Sequence, residues 1–347
     1  MRVDLAKRLL ASVMGWGPKE VAQHSPVLQI LADLKYDSYE QFSPGMRFIE
    51  SLALWLDQFD TAKEREVAFD FVRSRLIFFS DAEIAHFAAI AYADFIRPRI
   101  VEQNAPTMRT PERGQPAEQA ALFFGLSDGA RISLFRRANP TLSHEQIFQD
   151  YRRNSEQRSE IVDRLKRIGC KPACSALVLL DDFSGSGTSY LREKDGGWTG
   201  KIARLVEDIK SPEWSDVISF PETKLIIAPY LATDQAIEYL RKTITEVVSP
   251  ECATILTVQR LSSDSLLERN SGDRMVDLVE KYYDATPEDS HTAKGNSGDL
   301  KFGYSNCALP LILHHNTPNN SLYLLWAPDD APTRGLFPRV NRHKDEG

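Results

Sequence analysis

No apolar run in this chain approaches the roughly 20 residues that a membrane-spanning helix requires. The first 17 residues carry Arg2, Lys7 and Arg8 but neither the apolar core nor the cleavage pattern of a secretion signal. Cysteine is scarce. Of four, Cys170 and Cys174 are separated by Lys-Pro-Ala, while Cys252 and Cys307 stand alone. That spacing gives neither a zinc ligand set nor an oxidised framework, so reduced thiols and a cytoplasmic location are expected. An excess of positive charge is also missing. The net charge of −7 argues against a general nucleic-acid coat or a polybasic membrane binder. The arginines that do cluster, Arg152 to Arg167, are mixed with Glu156, Glu160 and Asp163 and read as a solvated helix face.

What is present suits a soluble protein of two domains: 347 residues, 42% of them apolar and 26% charged. Up to about Ile100 the pattern is helical. Ser43-Pro44, Thr61 with Glu64, and Ser80 with Glu83 read as helix starts, because a capping side chain satisfies a helix N–H that has no partner of its own. Phe48, Leu52, Trp55 and Leu56 recur at helical spacing, and the frequent aromatics, Phe78 and Phe79 among them, read as the core of a small helical domain. A helical accessory domain over 1–105 is therefore expected. Its pattern is compatible with a winged helix, although no recognition helix stands out. Prolines 106, 111 and 116 break the period and mark a linker over 106–117.

Apolar runs then alternate with helical stretches across 118–347. Leu122–Leu126, Ala176–Leu180, Lys224–Pro229, Ala253–Val258, Leu309–Leu313 and Leu322–Trp326 are expected strands, with a helix over Glu145–Ile168. That order predicts an α/β domain with a mostly parallel sheet. Glu193–Gly200 and Thr286–Gly303 read as excursions from it, the second as a mobile flap.

One segment carries chemistry. Leu177-Val178-Leu179-Leu180 delivers Asp181 and Asp182 to a strand end, and Phe183-Ser184-Gly185-Ser186-Gly187-Thr188-Ser189 follows at once. Ligands of parallel sheets bind at that end of the strands. Glycines let backbone N–H groups approach phosphate oxygens, hydroxyls add donors, and a helix starting at Tyr190 would contribute a partial positive charge. The carboxylates can accept from ribose hydroxyls or hold a divalent cation. No lysine follows the glycines and no G-x-G-x-x-G is present, which argues against Walker-type and dinucleotide sites.

The segment resembles the phosphoribosyl-pyrophosphate (PRPP) motif of type I phosphoribosyltransferases: four apolar residues, two acids, three variable positions, then a small hydroxyl- and glycine-bearing loop. The resemblance implies a type I phosphoribosyltransferase-like sheet beside an N-terminal all-α domain. It also implies Asp181 and Asp182 as the acids that bind ribose and Mg2+, and a phosphate loop of Ser184, Gly185, Ser186, Gly187, Thr188 and Ser189. Ser127, Asp128 and Gly129, at the end of an earlier strand, occupy a place comparable to that family's pyrophosphate loop, and Arg131 follows them. A second run, His314-His315-Asn316-Thr317-Pro318-Asn319-Asn320, also follows an apolar strand. Asn316, Thr317, Asn319 and Asn320 can either stitch a polar turn or form a rim that reads a base or ribose. The combination of both runs resembles the phosphoribosyltransferase-like family of bacterial conflict systems, which includes effectors of antiphage retrons.

That resemblance implies transfer or removal of a ribosyl group through an oxocarbenium-like state, with Mg2+ neutralising the pyrophosphate leaving group. The substrate would be a nucleotide, NAD or PRPP. Two alternatives stand beside it. The domain can be a non-catalytic sensor of a nucleotide or PRPP. Its N-terminal helices can instead dock a reverse transcriptase with its RNA–DNA product.

Overall fold

The computed structural model describes residues 3–42, 45–104, 114–150, 155–169, 174–215, 217–269, 272–285, 298–328 and 331–339. The expected cap at Ser43-Pro44, most of the 106–117 linker, Arg152 and Arg153, Cys170, and 286–297 of the expected flap lie outside the described residues. Ten strands run through the described residues: β1 (Ile77–Phe79), β2 (Leu122–Gly125), β3 (Ile147–Phe148), β4 (Ala176–Ser184), β5 (Arg192–Lys194), β6 (Gly197–Thr199), β7 (Lys224–Thr233), β8 (Ala253–Ile255), β9 (Gln259–Leu261) and β10 (Leu311–Leu313).

The chain forms two compact units, and their boundaries differ from those expected. The first joins 1–81 to 264–347, and the second is 82–263. The N-terminal helices therefore close their core with the C-terminal segment instead of standing as a domain over 1–105. The physical reason lies in the aromatics. Phe337, fully buried, stacks on Phe42 and Phe48 at centroid distances of 5.5 and 5.8 Å. Trp55 donates its indole N–H to Leu324 O at 2.7 Å. Helix Ala62–Ser74 starts with the expected capping box, Thr61 N to Glu64 Oε2 at 3.0 Å and Glu64 N to Thr61 Oγ1 at 3.2 Å. Phe78 belongs to β1, which pairs in parallel with β10, so part of the expected helical region is strand. Leu322–Trp326 reverses that error. It is the short helix Tyr323–Trp326, its side chains buried all round, and an apolar run of this length does not distinguish a strand from a buried helix.

The second unit holds a six-stranded, all-parallel sheet in the order β3-β2-β4-β7-β8, with β9 continuing alongside β7. The register aligns Leu122 with Leu177 and Leu177 with Leu225. Strand side chains alternate, so Leu122, Phe124, Leu177, Leu179, Leu225 and Ile227 enter one core with Ile202, Leu205 and Ile209 of helix Lys201–Ile209. Phe123, on the opposite face, meets Phe135 and Tyr92. Complete burial of such a side chain stabilises by roughly 1.5–3 kcal/mol. Covering both faces makes β4 and β7 central, and it explains why their sequences are continuously apolar. The expected helix Glu145–Ile168 is split. Ile147–Phe148 adds β3 at the sheet edge, and the helix proper is Ser155–Arg167.

Candidate functional site

The strand β4 does not end at Leu180. It continues to Ser184, pairing Phe183 with Leu231 and Ser184 with Ala232 of β7. Successive strand residues face opposite ways, so the two acids separate. Asp181 turns inward and is 3% exposed. Its Oδ1 accepts from the Ser127 hydroxyl, and its Oδ2 from the Tyr190 hydroxyl at 2.9 Å and the Lys201 ammonium at 3.4 Å. Asp182 is half-buried and lies against the backbone of Gly129, where a Cβ would stand 2.7 Å from Oδ2.

The earlier strand end is held to the same place. Ser127 reaches Asp181, Gly129 lies under Asp182, and Ala130 O accepts from the Tyr230 hydroxyl at 3.1 Å. Asp128 is exposed at the tip of this turn. Arg131 follows in the left-handed region, φ 50°, an uncommon conformation for a non-glycine residue. The structure thus brings Ser127, Asp128 and Gly129 together with Asp181 and Asp182 at the C-terminal edge of the sheet.

Burial sets the electrostatics. It pushes the Asp181 carboxyl up to about 6, Lys201 pulls it down, Asp182 pushes it up, and the Ser127 and Tyr190 hydrogen bonds pull it down. The Tyr190 phenol is held well above its usual range, first by burial and then by the Asp181 charge. Tyr230 is raised by burial, then by Asp182 and Asp181. Both tyrosines therefore stay neutral donors beside the acids.

The Gly185–Ser189 loop closes on itself. Ser186 Oγ and Thr188 Oγ1 are 2.8 Å apart, and Gly185 O accepts from Thr233. Ser186 and Gly187 are buried, and their backbone N–H groups meet no acceptor among the described residues. Backbone N–H groups without a protein acceptor in a turn of this kind are able to receive an anion. Gly187 has φ +76°, and a Cβ there would stand 2.9 Å from the Tyr239 ring and 3.0 Å from Leu240. Glycine at 187 thus answers to packing against helix Asp234–Thr243.

No helix begins at Tyr190. The chain turns, forms the β5–β6 hairpin through Asp195 and Gly196 at φ 53° and 76°, and enters helix Lys201–Ile209. An Asp-Gly pair between two short strands is the signal for such a turn, and it stood in the expected excursion Glu193–Gly200. The hairpin returns the helix start to the loop, with Lys201 N bonded to Ser189 O at 3.1 Å and Ile202 N to Tyr190 O at 3.0 Å. Lys201 and Tyr190 were not legible as site residues, because only this return brings them to Asp181.

The second group of candidates belongs to the first unit. Strand β10, which precedes it, pairs with β1 in a separate two-stranded sheet, so this turn does not follow a strand of the six-stranded sheet as expected. Thr317 is fully buried between the Tyr39 hydroxyl and Phe337 O, each 3.0 Å away. Asn320 donates to Tyr304 O at 3.1 Å and to Cys307 Sγ at 3.2 Å. Asn319 O accepts from Tyr304 N at 2.7 Å. These groups stitch the turn. Asn316 Oδ1, by contrast, is buried and has no donor among the described residues. His314 Nε2 lies 3.2 Å from Glu40 Oε1 and 3.3 Å from Asp81 Oδ1.

A divalent cation shared by Asp181 and Asp182 does not fit these residues. Both Asp181 oxygens already accept hydrogen bonds, an ammonium adjoins one of them, and the second acid faces the other way. Among the described residues, no three His, Cys, Asp or Glu side chains gather as a metal site. No helix among them is long and apolar enough to cross a membrane. A family model described as PRTase-CE matches residues 52–339. Neither the curated proteins nor the solved structures contain a match.

Proposed function

The chain belongs to the PRTase-CE family and is a phosphoribosyltransferase-like protein; from that premise we propose that it binds a ribosyl phosphate, as a nucleotide or PRPP, at the C-terminal end of β4. The observation that carries this reading is the buried loop at Ser186 and Gly187, whose backbone N–H groups meet no acceptor among the described residues, together with the half-buried Asp182 at the end of β4. In this reading the loop, with Ser184, Gly185, Thr188 and Ser189, takes the phosphate. Asp182 accepts from the ribose hydroxyls, and Ser127, Asp128 and Gly129 border the rest of the ligand.

Ribosyl transfer or glycosidic cleavage at such a site proceeds by positioning and by stabilising charge at the anomeric carbon, without a covalent nucleophile. The setting we propose is antiphage defence, as an effector whose activity depletes a nucleotide, NAD or PRPP. Its support is the joint occurrence of the Asp-Asp-Phe-Ser-Gly-Ser-Gly-Thr and Asn-Thr-Pro-Asn-Asn runs. Docking of a reverse transcriptase with its RNA–DNA product belongs to the same proposal. A second reading, a nucleotide sensor that does not turn over its ligand, is favoured by Asp181, whose internal hydrogen bonds withdraw one of the two acids from the ligand.

Incubation with nucleotides, NAD and PRPP, followed by mass spectrometry of products and by calorimetry, separates these readings. Turnover supports the enzyme. Saturable binding with intact ligands supports the sensor. Absence of both removes the site.

A further inference from the structure

We infer that Lys201 pairs with the loop-bound phosphate of the ligand and that Asp181 positions this lysine without touching the ligand itself, an inference that rests on the phosphate-loop reading above. Lys201 is the first residue of its helix, and no acid stands in that first turn. The partial positive charge of a helix N-terminus disfavours a lysine there. Its offset comes from outside the helix, in the buried Asp181 carboxylate 3.4 Å away.

The pairing fixes the ammonium in place. The Lys201 N–H is bonded to Ser189 O at the exit of the loop, and its Nζ lies 5.7 Å above the Tyr190 ring. An ammonium has three donors, and Asp181 takes one of them. The side chain is 25% exposed, with its backbone at the loop exit and its ammonium beside Asp181. A phosphate seated on the Ser186 and Gly187 N–H groups brings about two negative charges into a buried loop. A cation held by Asp181 next to the residues that follow the loop would offset that charge. Asp181 then serves by holding Lys201 and tying Ser127 and Tyr190 to the same point, which is a positioning role.

The test measures binding of ribose 5-phosphate by calorimetry, at low and at physiological salt, with thermal unfolding alongside. Lys201→Met keeps the apolar stem and removes the charge. It is expected to weaken binding by about tenfold or more, the worth of a charge-assisted hydrogen bond, and to flatten the salt dependence. Lys201→Arg should retain most of the affinity. The decisive variant is Asp181→Asn combined with Lys201→Met. If Lys201 touches the phosphate, the double variant stays as weak as Lys201→Met. Recovery of wild-type affinity in the double variant would show that Lys201 only neutralises Asp181, and would overturn the inference. Wild-type affinity in Lys201→Met would overturn it too, while loss of binding in Asp182→Asn would still uphold the phosphate-loop reading. A wild-type protein that binds neither ribose 5-phosphate nor PRPP refutes both.

Discussion

The carboxylate of Asp182 lies against the α-carbon of Gly129, so closely that a Cβ at 129 would stand 2.7 Å from Oδ2 and 2.9 Å from Oδ1. Two strand ends meet at this point, and the contact leaves no room for a side chain at 129. Gly129→Ala is therefore expected to displace the Asp182 carboxylate and weaken PRPP binding by at least about tenfold. The cost in stability should be on the order of 1 kcal/mol, because the displaced group is half-buried and can move. Calorimetry paired with urea unfolding checks this; unchanged affinity would mean that Asp182 does not face the ligand.

Asp182→Asn keeps the shape and removes the charge and the pure acceptor character. Binding of ribosyl phosphates should be lost while unfolding is unchanged or slightly improved, since Asp182 pushes the carboxyl of its neighbour Asp181 upward. Wild-type affinity in this variant would remove Asp182 from the site.

Asp181 makes a prediction with a defined sign. Its folded pKa is raised from the ordinary 3.8 to about 6, so between those values the folded state binds more protons than the unfolded state. The carboxyl's contribution to stability thus falls as pH rises from about 4 to about 6 and is level above that. Relative to wild type, Asp181→Asn should gain stability across the same window, by about 3 kcal/mol at most. Urea unfolding at a series of pH values measures the difference, and a difference that is flat from pH 4 to 7 would contradict the burial-driven shift.

Gly187 tests the packing account of the loop. At φ +76°, with Tyr239 and Leu240 within 3.0 Å of a new Cβ, Gly187→Ala should destabilise by about 1–3 kcal/mol even without ligand. Loss of binding without loss of stability would instead indicate that phosphate approach alone demands the glycine.

Thr317→Val should lower stability by about 1–3 kcal/mol, because Phe337 O and the Tyr39 hydroxyl lose a buried partner. Urea unfolding of wild type and variant measures the loss, and equal midpoints would show that the buried hydroxyl contributes nothing to the turn.

Much of the fold is legible in the amino-acid sequence. The continuous apolar runs at 176–180 and 224–229 specify buried parallel strands, because alternation would appear only if one face met water. The acids, glycines and hydroxyls after Leu180 mark where a candidate site was expected, at the end of the sheet where ligands of parallel sheets bind. Thr61 and Glu64 specify a helix start by local geometry alone. Contacts distant in sequence decided the rest. That β4 runs on past Leu180, and so divides Asp181 from Asp182, depends on pairing with Leu231 and Ala232 some 50 residues away. That Lys201 and Tyr190 reach Asp181 depends on a hairpin folding back on the loop. That the N-terminal helices take Phe337 into their core is invisible to periodicity, which records that a face is apolar and not what covers it. Local patterns fix which atoms are available, whereas their pairing is chosen by burial of the whole chain, because an unpaired charge is costly in the interior and an apolar ring is costly wherever water still reaches it.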